Sequence, residues 1–254
     1  MAHNPKRLSR LRAVMGEQGI DVLYVRELSN ISWATGFERV FDDEPAHALV
    51  VSARNCVLHT DSRYFDAMKS AAADTDIEVD NSRMAHSAVL AKVSDCIDGD
   101  IVRVGIEDSM PLAEYHALQR TFEGRAIDLV ELSGFVEELR QVKDESEITA
   151  MRKAQSITDA AFANIIAFMK PGMTEREVQL QLDRYMYEGG AEGLAFGTIV
   201  ATGAHAASPH AIPGETKLAF GDAVVMDFGA RYAGYCSDMT RTVFVGEPSD
   251  EARR

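Results

Sequence analysis

The chain has 254 residues, of which 46% are hydrophobic, enough to bury one or two sizeable cores at about 100–200 residues per domain. A formal net charge of −14, with no dense Lys/Arg run, disfavours nucleic acid as a partner, because phosphates would be repelled without a basic stripe. No apolar run approaches the roughly 18 residues of a spanning helix, so no membrane partner is expected, and Met1-Ala2-His3-Asn4-Pro5-Lys6-Arg7 leads into a charged helix instead of a signal sequence.

Leu8, Leu11, Val14 and Met15 recur at helical spacing over residues 7–19, and Val22-Leu23-Tyr24-Val25 then reads as a strand. Residues 47–51 and 56–59 read as hairpin strands around Ala53-Arg54-Asn55, followed by a helix over 64–73 and a strand over 101–106. A helix over 111–120, a short strand over 126–130 and a helix over 134–139 close the first block, with the boundary in 133–142 and domains of 1–135 and 136–254. His47, His59 and His86 show no ligand spacing. Cys56, Cys96 and Cys236 are scattered, odd in number and without CxxC spacing, which fits a reducing, cytoplasmic compartment.

The second block opens with an amphipathic helix over 146–169, stopped by Pro171-Gly172. Thr174-Glu175-Arg176-Glu177 fits a capping box, so a second helix starts at Thr174 and ends at Gly189-Gly190. Met173 and Met186 are expected to be packing residues. The apolar run Phe196-Gly197-Thr198-Ile199-Val200 leads to a loop holding Ala207-Ser208-Pro209-His210.

The most informative stretch follows. Val224-Val225-Met226-Asp227-Phe228-Gly229 and Tyr235-Cys236-Ser237-Asp238-Met239-Thr240 have the texture of two hairpin arms, with Gly229 and Gly234 bracketing the turn. Centring the turn on Tyr232 and Ala233 sets Asp227 directly opposite Asp238, on one face, with Cβ atoms roughly 4.5–5.5 Å apart. Such a like-charge pair shares a proton or binds a cation, and hard oxygen ligands suit Mn²⁺, Co²⁺ or Zn²⁺. The plainer alternatives are that the carboxylates point to solvent or pair with Arg231 or Arg241, and that His210 is an exposed loop histidine. Asp227-Phe228-Gly229 spells a kinase DFG, but no glycine-rich phosphate loop or HRD segment accompanies it. Neither HExxH nor GxSxG occurs, and Gly189-Gly190-Ala191-Glu192-Gly193 follows a helix, the wrong context for a dinucleotide.

Residues 196–213, FGTIVATGAHAASPHAIP, and 221–246, GDAVVMDFGARYAGYCSDMTRTVFVG, resemble the pita-bread metallopeptidases: prolidases, Xaa-Pro aminopeptidases and their creatinase relatives. Residues 139–162 resemble the entry to that catalytic domain. Asn30-Ile31-Ser32-Trp33-Ala34-Thr35-Gly36-Phe37 and Thr60-Asp61-Ser62-Arg63-Tyr64 resemble its N-terminal domain. The resemblance implies an α/β (α+β) chain, a creatinase-like N-terminal α/β domain followed by the first half of a pita-bread catalytic domain.

It further implies that Asp227 ligates one metal ion and Asp238 bridges two, with Mn²⁺ preferred over Co²⁺ or Zn²⁺. His210 becomes the substrate-side histidine that hydrogen-bonds the peptide as charge develops on the scissile oxygen. Phe196 becomes a wall of the apolar substrate pocket, ordinary core packing being equally compatible with its position. The chemistry implied is hydrolysis of the bond before proline in a peptide, by a hydroxide bridging two divalent ions. A homodimer is the implied assembly. The family's remaining histidine and two glutamates would lie beyond Arg254, so a C-terminally truncated chain with little activity is expected. Ser249 and the acids after it read as the start of a helix that is cut short. The alternatives on the same fold are a creatinase-like hydrolase of a small guanidino substrate and a non-catalytic binding protein.

Overall fold

The computed structural model describes residues 5–37, 39–42 and 44–248. The helix start expected at Ser249 lies outside the described residues. The chain divides into two units, Met1–Lys143 and Asp144–Arg254.

In the first unit the elements run α1 (Pro5–Glu17), β1 (Val22–Val25), α2 (Leu28–Thr35), β2 (Ala48–Ser52), β3 (Cys56–His59) and α3 (Phe65–Ala71). They continue with β4 (Glu78–Asp80), α4 (His86–Ser94), β5 (Val102–Glu107), α5 (Leu112–Thr121), β6 (Ile127–Leu132) and α6 (Phe135–Gln141). The strands form one sheet in the order β4-β3-β2-β1-β5-β6. Strands β1, β2 and β3 pair antiparallel, while β5 runs parallel to β1 and to β6. Every residue of β1, β2 and β3 is buried, because both faces of the sheet are covered. Leu8, Leu11 and Met15 of α1 pack with Leu23, Leu49 and Phe135 on one side, and Leu90 and Leu118 pack with Tyr24, Val50 and Val104 on the other. A sheet covered on both faces needs continuous apolar strands, which is what these sequences provide.

Helix α2 carries a buried polar staple. Asn30 Nδ2 donates to Glu107 Oε1 (2.7 Å) and Glu137 Oε1 (2.6 Å), while its Oδ1 accepts from Arg140 Nη1 (2.6 Å). Glu107 Oε2 accepts the amides of Arg26 (2.6 Å) and Glu27 (2.8 Å). Burial pushes the Glu107 carboxyl up, and the bonds from Asn30 and the two amides pull it back. Asn30 thus ties the β1–α2 turn to the end of β5 and to α6.

In the second unit the elements are α7 (Glu145–Phe168), α8 (Glu175–Glu188), β7 (Gly193–Leu194), β8 (Ile199–Thr202) and a 3₁₀ turn over Gly203–Ala207. After these come β9 (Ala223–Phe228), β10 (Ala230–Tyr232), β11 (Tyr235–Cys236) and β12 (Met239–Phe244). Capping boxes open both helices, Asp144 with Glu147 and Thr174 with Glu177, each satisfying amides that a helix start leaves orphaned. The strands form two three-stranded sheets, β12-β9-β8 and β11-β10-β7. Along β9, Val224, Met226 and Phe228 are fully buried in a core shared with Ile157, Ile165, Val178 and Leu182. The alternate residues Ala223, Val225 and Asp227 take the other, half-buried face.

The turn corrects the expected register. Ala233 (φ +49°) and Gly234 (φ +76°) are both left-handed, the pattern of a two-residue type I′ hairpin turn. Tyr232 therefore pairs with Tyr235, and in the same phase Asp227 pairs with Thr240 instead of Asp238. The physical reason is the backbone demand of the turn. Centring it on Tyr232 and Ala233 would leave both left-handed positions to side-chain-bearing residues, whereas the observed turn gives one to glycine.

Gly229 sits where the hairpin backbones approach most closely. A Cβ there would overlap the Ser237 carbonyl oxygen and stand 3.0 Å from Ala195 Cβ. Gly229→Ala is expected to destabilise the chain by at least about 1–3 kcal/mol in urea unfolding. Gly197→Ala, at a position with open space around it, should leave the midpoint nearly unchanged.

Candidate metal and substrate site

The period of two along β9 turns Asp227 away from the helix-packed core. Ile199 of β8 and Thr240 of β12 flank it on either side. Thr240 Oγ1 donates to Asp227 Oδ1 at 2.8 Å, which engages one of the two carboxylate oxygens. Among the described residues Thr240 is the hydrogen-bond partner of this carboxylate, while Arg241 Nη1 donates to the Thr240 carbonyl.

Asp238 is exposed, in the two-residue link between β11 and β12. Continuing the hairpin phase places it opposite Gly229, two residues from Thr240. A register slip of two preserves the face, so the carboxylates share one side of the hairpin as diagonal neighbours, a spacing of about 7–8 Å. Carboxylates so separated do not collide, and with metal–oxygen bonds of roughly 2.0–2.2 Å they can approach cations from two sides. The donor set fits a divalent ion in type. It is a partial set: among the described residues no group of three or more His, Cys, Asp or Glu side chains is arranged to hold a metal ion.

The residue before Asp238 is anchored from below. Thr158 of α7 and Ser237 are both buried, with their hydroxyl oxygens 2.6 Å apart. The Ala230 amide donates to Ser237 Oγ (2.9 Å) and Thr158 Oγ1 (3.2 Å), and the Ser237 amide donates to the Ala230 carbonyl (2.9 Å). Side-chain oxygens thus replace one ladder bond where the chain passes from β9 to β10, and the link carrying Asp238 is tied to α7.

His210 is exposed in a turn that follows the 3₁₀ segment after β8. Phe196 is half-buried in the link between β7 and β8. The structure brings the two aspartates to one hairpin face and sets His210 and Phe196 in the segments leaving and entering β8. Two further residues escaped the sequence reading. Glu175, fully buried at the start of α8, accepts from the Thr202 amide (2.9 Å) and the Gly214 amide (3.1 Å) and contacts His205 Nδ1 (2.8 Å). Their only sequence signal is the capping box that contains Glu175, since Glu175 lies 27 to 39 positions from these partners.

Residues 149–254 match the model of metallopeptidase family M24, and residues 7–142 match the creatinase/prolidase N-terminal domain. A curated relative, the uncharacterized peptidase YqhT of Bacillus subtilis (strain 168), is 34% identical over 250 residues, covering 97% of this chain and 67% of its own length. Among solved structures, the Xaa-Pro dipeptidase from Bacillus anthracis is 33% identical with a TM-score of 0.84, covering 98% of this chain and 67% of its own. The X-Pro aminopeptidase from Thermotoga maritima MSB8 is 33% identical (TM-score 0.81, 97% and 67% covered), and the prolidase from Pyrococcus furiosus 25% identical (TM-score 0.79, 95% and 67% covered). The chain spans about two thirds of the length of each.

Thr158 and Ser237 supply a test of the anchor beneath Asp238. Thr158→Val and Ser237→Ala should each cost about 1–3 kcal/mol, because each weakens satisfaction of a buried amide. The pair should be non-additive by at least about 0.5 kcal/mol in a double-mutant cycle read by denaturant unfolding.

Proposed function

The chain belongs to metallopeptidase family M24 and carries the N-terminal domain of its creatinase and prolidase branch, and on that premise we propose that it acts in an Xaa-Pro peptidase, hydrolysing the amide bond before proline in short peptides. The observation that carries this proposal is the placement of Asp227 and Asp238 on one face of one hairpin. The names of the similar structures, an Xaa-Pro dipeptidase, an X-Pro aminopeptidase and a prolidase, support the choice of substrate.

Asp227 and Asp238 would hold two divalent ions, Mn²⁺ before Co²⁺ or Zn²⁺. Ions held there would supply the acidity that activates a water and the polarisation of the scissile carbonyl. The chain's own groups do the rest. Thr240 orients Asp227 by donating to one of its oxygens. His210, exposed at its turn, donates to the carbonyl oxygen of the scissile bond as negative charge grows there, where a fixed donor lowers the barrier most. Phe196 offers an apolar surface to the substrate side chain or proline ring. The working assembly is proposed to be a cytoplasmic homodimer.

Two carboxylates are a sparse donor set, so the 254-residue chain is expected to bind Mn²⁺ with a Kd on the order of 10⁻⁴ M or weaker, the range of cation sites poor in charged ligands. Hydrolysis of Ala-Pro should be close to background with or without Mn²⁺. Calorimetric titration should show that Asp227→Asn and Asp238→Asn each abolish the Mn²⁺ signal without lowering Tm. Robust Mn²⁺-dependent turnover that disappears on Asp227→Asn would overturn the low-activity expectation, and an unchanged Mn²⁺ titration in both variants would remove the metal assignment.

A further inference from the structure

Between Thr202 and Gly214 the chain leaves β8, makes a 3₁₀ turn and exposes the run 207–210, which includes His210, and then Ile212 (84% exposed), with Ala211 and Pro213 buried on either side of Ile212. The exposed run 207–210 has little packing of its own to hold it. Its position is therefore decided by the buried Ala211 and Pro213 and by the ties where the segment starts and ends.

Both ends close on one side chain. Glu175 is fully buried. Its Oε1 accepts the Thr202 amide at 2.9 Å and its Oε2 accepts the Gly214 amide at 3.1 Å. His205, inside the segment, sets Nδ1 2.8 Å from Oε1 and 3.0 Å from Oε2. An ionised carboxylate only accepts hydrogen bonds, so the tautomer of His205 that suits this contact is the one with its proton on Nδ1. The first turn of α8 adds main-chain bonds to the returning chain, from the Glu175 amide to Thr216 O (3.0 Å) and from the Arg176 amide to Gly214 O (3.1 Å). The departing end has a second tie, Thr202 Oγ1 to Asp222 Oδ2 at 3.0 Å. The helix N-terminus favours a carboxylate at this place, and bonds to an ionised acceptor are stronger than neutral ones. The capping box already satisfies amides of α8 through Thr174 and Glu177, which leaves the Glu175 carboxylate to the segment.

We infer that Glu175 is the positioning residue for His210: its buried carboxylate draws the two stems of residues 203–214 onto the start of α8 and so fixes where the exposed imidazole is presented. This rests on His210 serving as the substrate-side donor proposed above. Glu175 itself touches neither substrate nor metal ligand.

The test uses isotope-labelled 254-residue protein and Glu175→Gln, which preserves size but turns an NH₂ group toward one of the donors. Amides of 202–214 should exchange with solvent at least 10-fold faster in the variant, with those of Val224, Met226 and Phe228 within twofold of the parent. The hydrogen-bonded Nδ1 proton of His205 should vanish from the spectrum. Uniform exchange across both segments, or none altered, overturns the inference. If Glu175→Gln unfolds the whole chain, His205→Asn takes its place: selective loosening of 202–214 supports the clamp and its absence overturns it. Ala-Pro at millimolar concentration provides the separate arm. A shift of the His210 ring in the parent that is weakened several-fold in the variant supports positioning, and a shift equal in both overturns it. No shift in the parent, with 202–214 loosened in the variant, rejects the substrate role of His210 and leaves the clamp standing.

Discussion

Burial of Val224, Met226 and Phe228 against α7 and α8 decides which way every side chain of β9 points. With those three committed to the core, Asp227 has only the opposite face available, and a one-residue slip would cost the burial of three large side chains. The hairpin turn then determines what stands beside it. Two left-handed residues at Ala233 and Gly234 lock the phase, Thr240 becomes the partner of Asp227, and Asp238 is carried to the same face one diagonal step away. The hydroxyls of Thr158 and Ser237 hold that step in place from the helix side. Apolar packing, turn geometry and a buried polar contact each set one coordinate of the carboxylate pair.

Much of this was legible in the residues. The alternation of β9 and the turn glycine located both aspartates on one face, and Thr174 with Glu177 announced α8 at its start. The register was misjudged by two residues because Gly229 and Gly234 both look like turn residues, although Gly229 is required for close backbone approach. Since side chains alternate with a period of two, the face survived while direct opposition did not. Helix α2 was not foreseen. Ser29, Asn30, Ser32 and Thr35 give it weak intrinsic helicity, and it is held by burial of Ile31, Trp33 and Ala34 and by the Asn30 contacts with Glu107, Glu137 and Arg140, residues about 80 to 110 positions away. Strand β4 spans three residues, too few for a period to show. Glu175 and His205 were invisible for the same reason as Asn30, their partners being distant in sequence.

The two units treat buried carboxylates alike. Glu107 at the end of β5 accepts two main-chain amides and a side-chain amide, and Glu175 at the start of α8 accepts two main-chain amides and an imidazole. In each, a charge that would be costly alone in the interior is satisfied by donors from separate segments and holds them together. The Asn30 motif, which the sequence links to a family, therefore has a structural occupation in this chain, distinct from the exposed positions of Asp238 and His210.

The type I′ turn also bears on the order in which the site is assembled. It joins its strands across two residues, whereas the Glu175 contacts close spans of 27 to 39 residues. Loop-closure entropy grows with length, and hairpins form within microseconds. The turn of the aspartate-bearing hairpin can therefore close from local contacts, its facing still set by packing against α7 and α8, while the segment presenting His210 gains its ties only after α8 has docked beside β8. In a full-length chain refolding from the unfolded state, the pairing that sets Asp227 beside Thr240 would thus close before the imidazole was in position.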